Sequence, residues 1–176
     1  HVWSASLQTA SEAWEDLCVE LAPDERARAD RFRTPQLRRR FVMARVILRR
    51  ILAVYAPLDA SVLRIGYGPH GKPCLMDAPD LRFNVSHAGD TAVYAVASSR
   101  EVGIDIEATG REVDVVGVAR QAFSSLEREV LAALAPHAQR EAFFRIWTHK
   151  EAYIKARGEG MSYSTRLFSV LHCNGD

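Results

Sequence analysis

The chain has 176 residues, of which 48% are hydrophobic and 26% charged, a balance that excludes extensive disorder and supplies core enough for one large domain or two small ones. Net charge is +1 and the basic residues are dispersed apart from Arg38-Arg39-Arg40 and Arg49-Arg50, so no basic stripe of the kind nucleic acid selects is present. Cys18, Cys74 and Cys173 are far apart and form no CxxC, which argues against a disulfide framework and a zinc site and points to a reducing cytoplasm. No apolar run approaches bilayer length, and His1-Val2-Trp3-Ser4 has no charged region followed by an apolar one, so a soluble cytoplasmic protein is expected.

In chain order, Pro23-Asp24-Glu25-Arg26 puts a proline in a first helical turn and acids where a helix N-terminus favours them, so residues 23–33 read as a short helix. Thr34-Pro35 interrupts it. From Gln36 to Tyr55 the apolar set Phe41, Ala44, Leu48, Ile51, Leu52 and Tyr55 recurs at helical spacing, opposite a face carrying Arg38, Arg45 and Arg49. Short strands are expected around Val62-Arg64-Gly66, Leu81-Phe83-Val85, Ala92-Tyr94-Val96 and Val102-Ile104-Ile106, separated by turn residues, and their close spacing implies a mostly antiparallel sheet. The pattern then turns helical over 114–122, 124–135 and 138–156, with Gly158 and Gly160 as stop signals. Leu167 to His172 reads as a strand running to Asn174-Gly175-Asp176, a hairpin signal, so at least one returning strand is expected beyond it.

Of the 23 lysines and arginines only Lys72, Lys150 and Lys155 are lysine, and two of these fall within Trp147-Thr-His-Lys-Glu-Ala-Tyr-Ile-Lys155. A position that keeps lysine against such a bias is a candidate for needing a compact ammonium rather than a planar guanidinium. In Gly103-Ile-Asp-Ile-Glu107, strand alternation puts Asp105 and Glu107 on one face, where the pair is either a set of solvated acids or two ligands of a hard divalent cation such as Mg2+. Helical spacing puts Trp147, Glu151 and Lys155 on another face, so Glu151 is either a third ligand or the acid of a Glu-to-Lys helical pair. Lys150 faces elsewhere, toward a phosphate or toward solvent. Ser86 and His87 stand where a strand gives way to the loop Ala88-Gly89-Asp90, a common setting for binding groups. Gly71-Lys72-Pro73 follows a glycine-rich turn able to present amides and one ammonium to a phosphate, although it lacks P-loop spacing. Ser124-Ser-Leu-Glu127 fits a capping box with Glu127 at its third helical position.

Phe83-Asn-Val-Ser-His-Ala-Gly89, Gly103-Ile-Asp-Ile-Glu107 and Trp147-Thr-His-Lys-Glu-Ala-Tyr-Ile-Lys155, in that order and spacing, resemble the signature motifs of phosphopantetheinyl transferases of the surfactin-synthetase (Sfp) type. The resemblance runs from about Pro23 onward. It implies an α+β fold of two similar halves related by a pseudo-two-fold, each a small mostly antiparallel sheet packed with helices, with residues 1–108 as the first half and 109–176 as a second half short of its last strands. It also implies Mg2+-dependent transfer of the phosphopantetheine arm of coenzyme A to a serine of an acyl or peptidyl carrier protein by a monomer, with adenosine 3′,5′-bisphosphate released. By carry-over Asp105, Glu107 and Glu151 hold the metal and Lys155 sits at the phosphate. Ser86, His87, Lys72, Arg40 and Arg28 grip coenzyme A. Glu127 matches the position of the base for the carrier serine, which leaves it two readings, base and helix cap. Glu25 stands where family members often carry a lysine, which removes one expected phosphate contact. Two other classes share these residues: a metal-dependent diphosphate hydrolase acting on a nucleotide, and an inactive coenzyme A-binding pseudoenzyme.

Overall fold

A computed structural model describes residues 1–8, 12–160 and 163–171, with backbone alone for Glu12 and Ala13. The first half is built on β1 (Val2–Ser6), β4 (Leu81–Ala88) and β5 (Thr91–Ser98), which form one antiparallel sheet in the order β1-β5-β4, while β2 (Ile65–Tyr67) and β3 (Pro73–Leu75) form a separate antiparallel hairpin. β4 and β5 pair from Leu81↔Ser98 to Ala88↔Thr91, and β1 pairs with the other edge of β5 from Val2↔Ala95 to Ser6↔Thr91. One face of this sheet is buried by α2 (Pro35–Tyr55), whose Leu48, Ile51 and Leu52 meet Phe83, Tyr94 and Val96 in a shared apolar core. Each fully buried side chain of this size contributes about 1.5–3 kcal/mol of transfer free energy.

α2 starts where Thr34 accepts a hydrogen bond from Leu37 N and Pro35 occupies the first turn. α1 (Pro23–Ala29) is fastened to α2 by Glu25, which is buried and ion-paired to Arg45 and Arg49, each at 2.7 Å, and which also accepts from Ala22 N. Glu25 is thus an interior clamp between two helices, which accounts for an acid at this position. β1, β3 and a 3-10 segment over Glu12–Glu20 were not expected from the sequence. β1 buries too little to show a pattern, and β3 is three residues long and begins with proline.

In the second half α3 (Val115–Ala122), α4 (Ser125–Ala133) and α5 (Pro136–Arg157) surround a core of Ala119, Phe123, Leu131, Phe143, Phe144 and Ile146. α5 ends at Gly158, whose φ of 69° is the left-handed conformation a helix stop requires. The class is α+β as expected, but both sheets lie in the first half among the described residues. Two expected strands take other forms. Thr165–Leu167 is a 3-10 turn followed by irregular chain to Leu171, and the hairpin expected at Asn174-Gly175 lies outside the described residues. Residues 102–106 are not laddered into a sheet, and the reason is part of the site.

Candidate active site

β4 alternates, so Asn84 and Ser86 share one face, and both are buried. Their side chains replace the missing backbone ladder: Asn84 Oδ1 accepts from Ile104 N at 2.9 Å and Ser86 Oγ accepts from Ile106 N at 3.4 Å. A buried donor has to be paired, and here two polar side chains two residues apart pair two amides two residues apart. The other side of this segment lies on α5. A Cβ built on Gly103 would come within 1.9 Å of Ala152 O and 2.5 Å of Ala156 N, so only glycine permits this approach. Ile104 and Ile106 are consequently half-buried rather than core residues.

The contact sets Asp105 and Glu107 beside the helix that carries Trp147, Glu151 and Lys155. Lys155 Nζ lies 2.5 Å from Asp105 Oδ1 and 3.0 Å from Ser86 Oγ, and Ser86 donates to the same Asp105 oxygen at 2.8 Å. Trp147 Nε1 donates to Glu107 Oε1 at 2.9 Å, and Arg111 pairs with that oxygen at 3.3 Å. Burial and the negative charges of Asp105 and Glu107 push the Glu151 carboxyl above its ordinary range, against the pull of Lys155. Glu151 and Lys155 line a cavity of about 250 Å³ that reaches Asn84, His70 and Gly160.

Among the described residues no three acidic, histidine or cysteine side chains stand close enough to share one ion. The donor set nevertheless suits a hard cation. Among the described residues the buried Asp105 Oδ2 finds no hydrogen-bond partner, and Glu151 stands within electrostatic reach of both other acids.

A second cavity, of about 320 Å³, is lined by Arg28, Arg40 and His87 together with Phe32 and Phe41. Three expected coenzyme A contacts therefore meet in one place. Arg28 lies over the Phe41 ring, its guanidinium carbon 5.4 Å from the centroid. Arg40 Nε pairs with Asp90 Oδ1 at 2.6 Å, and that bond with one from Gln8 holds the Asp90 carboxyl at about 2. Ser86, adjacent to His87 in sequence, opens instead onto Asp105 and Lys155.

Two lysines take positions the sequence did not suggest. Lys150 was expected at a phosphate or in solvent, yet its side chain is 1% exposed, with Nζ 2.7 Å from Glu127 Oε2, 2.8 Å from Thr165 O and 2.6 Å from Phe168 O. Its ammonium also lies 4.3 Å from the Phe168 ring centroid. Glu127 is 0% exposed, and the capping box is formed: Oε2 accepts from Ser124 N at 2.8 Å while Oε1 accepts from Val170 N at 2.8 Å. Burial alone would raise this carboxyl, but the bonds from Lys150, Val170 N and Ser124 N together hold it below its ordinary value. With each oxygen engaged, Glu127 has the geometry of a cap and counterion rather than of a free base. Lys72 Nζ pairs with Glu101 Oε2 at 2.6 Å and donates to Ala156 O at 2.5 Å and Val102 O at 3.3 Å, so all three of its donors are used within the protein.

Asn84 and Trp147 are the site residues that sequence reasoning did not assign. Asn84 was visible as a polar residue at i, i+2 from Ser86 on the same strand, and Trp147 by its position one helical turn before Glu151.

Comparisons with known proteins point to one family. Residues 3–99 match the family model described as 4′-phosphopantetheinyl transferase, N-terminal, and residues 101–176 match that of the 4′-phosphopantetheinyl transferase superfamily. The 4′-phosphopantetheinyl transferase HetI of Nostoc sp. is 39% identical over 165 residues, covering 92% of this chain and 70% of the relative. The 4′-phosphopantetheinyl transferase Sfp of Bacillus subtilis is 34% identical over 156 residues, covering 88% and 68%. The 4′-phosphopantetheinyl transferase psf-1 of Bacillus pumilus is 35% identical over 163 residues, covering 93% and 69%. Paired acids on an extended segment, a helix bearing Glu151 and Lys155 laid against it, and two family matches that meet near residue 100 lead to one statement: the chain belongs to the 4′-phosphopantetheinyl transferase superfamily and is an enzyme of its Sfp type.

Proposed function

We propose that this chain transfers the 4′-phosphopantetheine arm of coenzyme A to a serine of an apo acyl or peptidyl carrier protein, releasing adenosine 3′,5′-bisphosphate, with Mg2+ as cofactor. The observation that carries the reading is the ammonium of Lys155. Among the described residues it spends two of its three donors on Asp105 and Ser86, where the segment 102–107 meets α5, which leaves the third for an incoming oxygen. Asp105, Glu107 and Glu151 would hold the ion, which when bound offsets the negative charge of the diphosphate.

In the transfer the serine oxygen forms a bond to the phosphorus bearing the pantetheine arm. The bond from that phosphorus to the bridging diphosphate oxygen breaks, and the serine proton passes to a carboxylate. Glu151 lines the cavity beside Lys155, so we assign it that proton, while Glu127 serves as the partner of Lys150. Lys155 stabilises the charge that builds on the phosphoryl oxygens and the leaving group, and needs no covalent intermediate to do so. Arg28, Arg40 and His87 bind the phosphate at the adenosine end, with Arg40 exchanging Asp90 for the ligand, and Ser86 orients Lys155. Residues 1–108 supply Asp105, Glu107 and Ser86, and residues 109–176 supply Glu151 and Lys155, so one chain completes the site and the protein acts as a cytoplasmic monomer. Among the described residues no helix is long and apolar enough to cross a membrane.

Incubation with coenzyme A, Mg2+ and apo carriers of fatty-acid, polyketide and peptide type, followed by intact mass of each carrier, tests the reading. A gain of one phosphopantetheine on at least one carrier is expected, and it should disappear with Asp105→Asn. Unchanged mass on every carrier would argue against transfer.

A further inference from the structure

We propose that Lys72 is a positioning residue that fixes the spacing between the segment bearing Asp105 and Glu107 and the helix bearing Glu151 and Lys155; the proposal rests on the transferase reading for its catalytic consequence. The three acceptors of its ammonium are the argument. Glu101 and Val102 begin the acid-bearing segment, and Ala156 follows Lys155 at the end of α5. One nitrogen on the β2–β3 hairpin therefore ties together the two elements whose side chains compose the site. It does so next to Gly103, where those elements touch backbone to backbone.

Local chemistry favours the tie. Ala156 O lies in the last turn of α5, where carbonyls lack intrahelical partners and a cation is favoured by the helix dipole. The Lys72 side chain is 16% exposed, so its pairing with Glu101 is screened less than a surface pair. Its methylenes pack under Gly158, where an added Cβ would stand 2.9 Å from Lys72 Cδ, so the helix stop and the lysine fit one another. Three acceptors around a single nitrogen match an ammonium and not a planar guanidinium. This gives a physical reason for lysine here in a chain whose cations are nearly all arginine.

Lys72→Met, Lys72→Arg and Glu101→Gln separate positioning from phosphate binding. Coenzyme A affinity is measured by calorimetry without Mg2+ or carrier, kcat at saturating coenzyme A, and amide hydrogen exchange over 102–107 and the end of α5. Positioning predicts that Lys72→Met lowers kcat by about 10-fold or more, since a displacement near 1 Å costs up to about 10²-fold. The coenzyme A Kd should stay within about twofold, the 102–107 amides should exchange faster, and Lys72→Arg should not rescue. Glu101→Gln should shift kcat in the same direction, and the double variant should be no worse than Lys72→Met alone. Glu101 is 51% exposed, so its variant remains readable even if Lys72→Met fails to fold.

A phosphate-binding Lys72 predicts the opposite: Kd raised about tenfold with kcat unchanged, Lys72→Arg active, and tighter coenzyme A binding when Glu101→Gln releases the ammonium. Any of those results overturns the proposal. If the wild-type protein neither binds coenzyme A nor modifies a carrier, the transferase reading fails. Hydrogen exchange then decides the tie by itself: unchanged exchange in Lys72→Met, or in Glu101→Gln, overturns it.

Discussion

Replacing Gly103 by alanine adds one methyl at the point where the segment 102–107 meets α5. The added Cβ would lie 1.9 Å from Ala152 O and 2.5 Å from Ala156 N, whereas real Cβ contacts essentially never fall below 3.0 Å. Both obstacles are backbone atoms of α5, so no side-chain rotation relieves them, and the segment must retreat by about 1 Å. Overpacking of this kind costs about 1–3 kcal/mol of stability. The same displacement carries Asp105 away from Lys155 and Glu107 from Trp147, and misplacement by about 1 Å lowers catalysis by up to about 10²-fold, close to 2.7 kcal/mol of transition-state stabilisation. Urea denaturation gives the first quantity, and kcat for carrier modification at saturating coenzyme A and Mg2+ gives the second. Ala152→Gly introduced alongside should not restore either, because the obstructing atom is a carbonyl oxygen and not a side chain. Gly103→Ala with unaltered kcat would refute the claim that this contact sets the site.

Lys155→Arg keeps the charge but replaces a compact ammonium 2.5 Å from Asp105 and 3.0 Å from Ser86 with a fork that pairs Asp105 bidentately. Turnover should fall by about 10²-fold with the fold intact by circular dichroism; wild-type turnover would end the argument from lysine retention. Lys150→Met leaves the Glu127 carboxylate buried beside an apolar chain and should cost about 3–5 kcal/mol near neutral pH. The pH dependence of that cost has a definite sign. In the wild type the Glu127 carboxyl is held below its ordinary value, so its contribution is fully present above that value and is lost as pH falls through the depressed one. Without Lys150, burial raises the carboxyl, so protonation favours the folded variant and its deficit should narrow as pH falls from neutrality. A deficit that widens on acidification would contradict the buried pair.

Helices were legible where periodicity and caps coincided: Thr34-Pro35, Ser124 with Glu127, and Gly158 bound α2, α4 and α5 within one or two residues of their expected ends. The acids and lysines of the site were legible because chemistry limits the residue types that serve there. Tertiary partners were not. Nothing local in Trp-Thr-His-Lys-Glu shows that Lys150 turns inward to Glu127 and two distant carbonyls, because that depends on where the chain past Ser164 returns. Likewise Val102–Ile106 has strand composition, but it meets the edge strand β4 through the side chains of Asn84 and Ser86, and no backbone ladder forms. The lysine bias marked positions of demanding geometry: Lys72 and Lys150 each place an ammonium among three protein acceptors, whereas Lys155 has two among the described residues.

Quantifying both products of one reaction tests the central claim most directly. With coenzyme A, Mg2+ and a competent apo carrier, one adenosine 3′,5′-bisphosphate should appear per carrier serine modified, and none when the carrier is omitted or its serine is replaced by alanine. Adenosine 3′,5′-bisphosphate released at an undiminished rate without any carrier would contradict the account and assign the same carboxylates and Lys155 to hydrolysis.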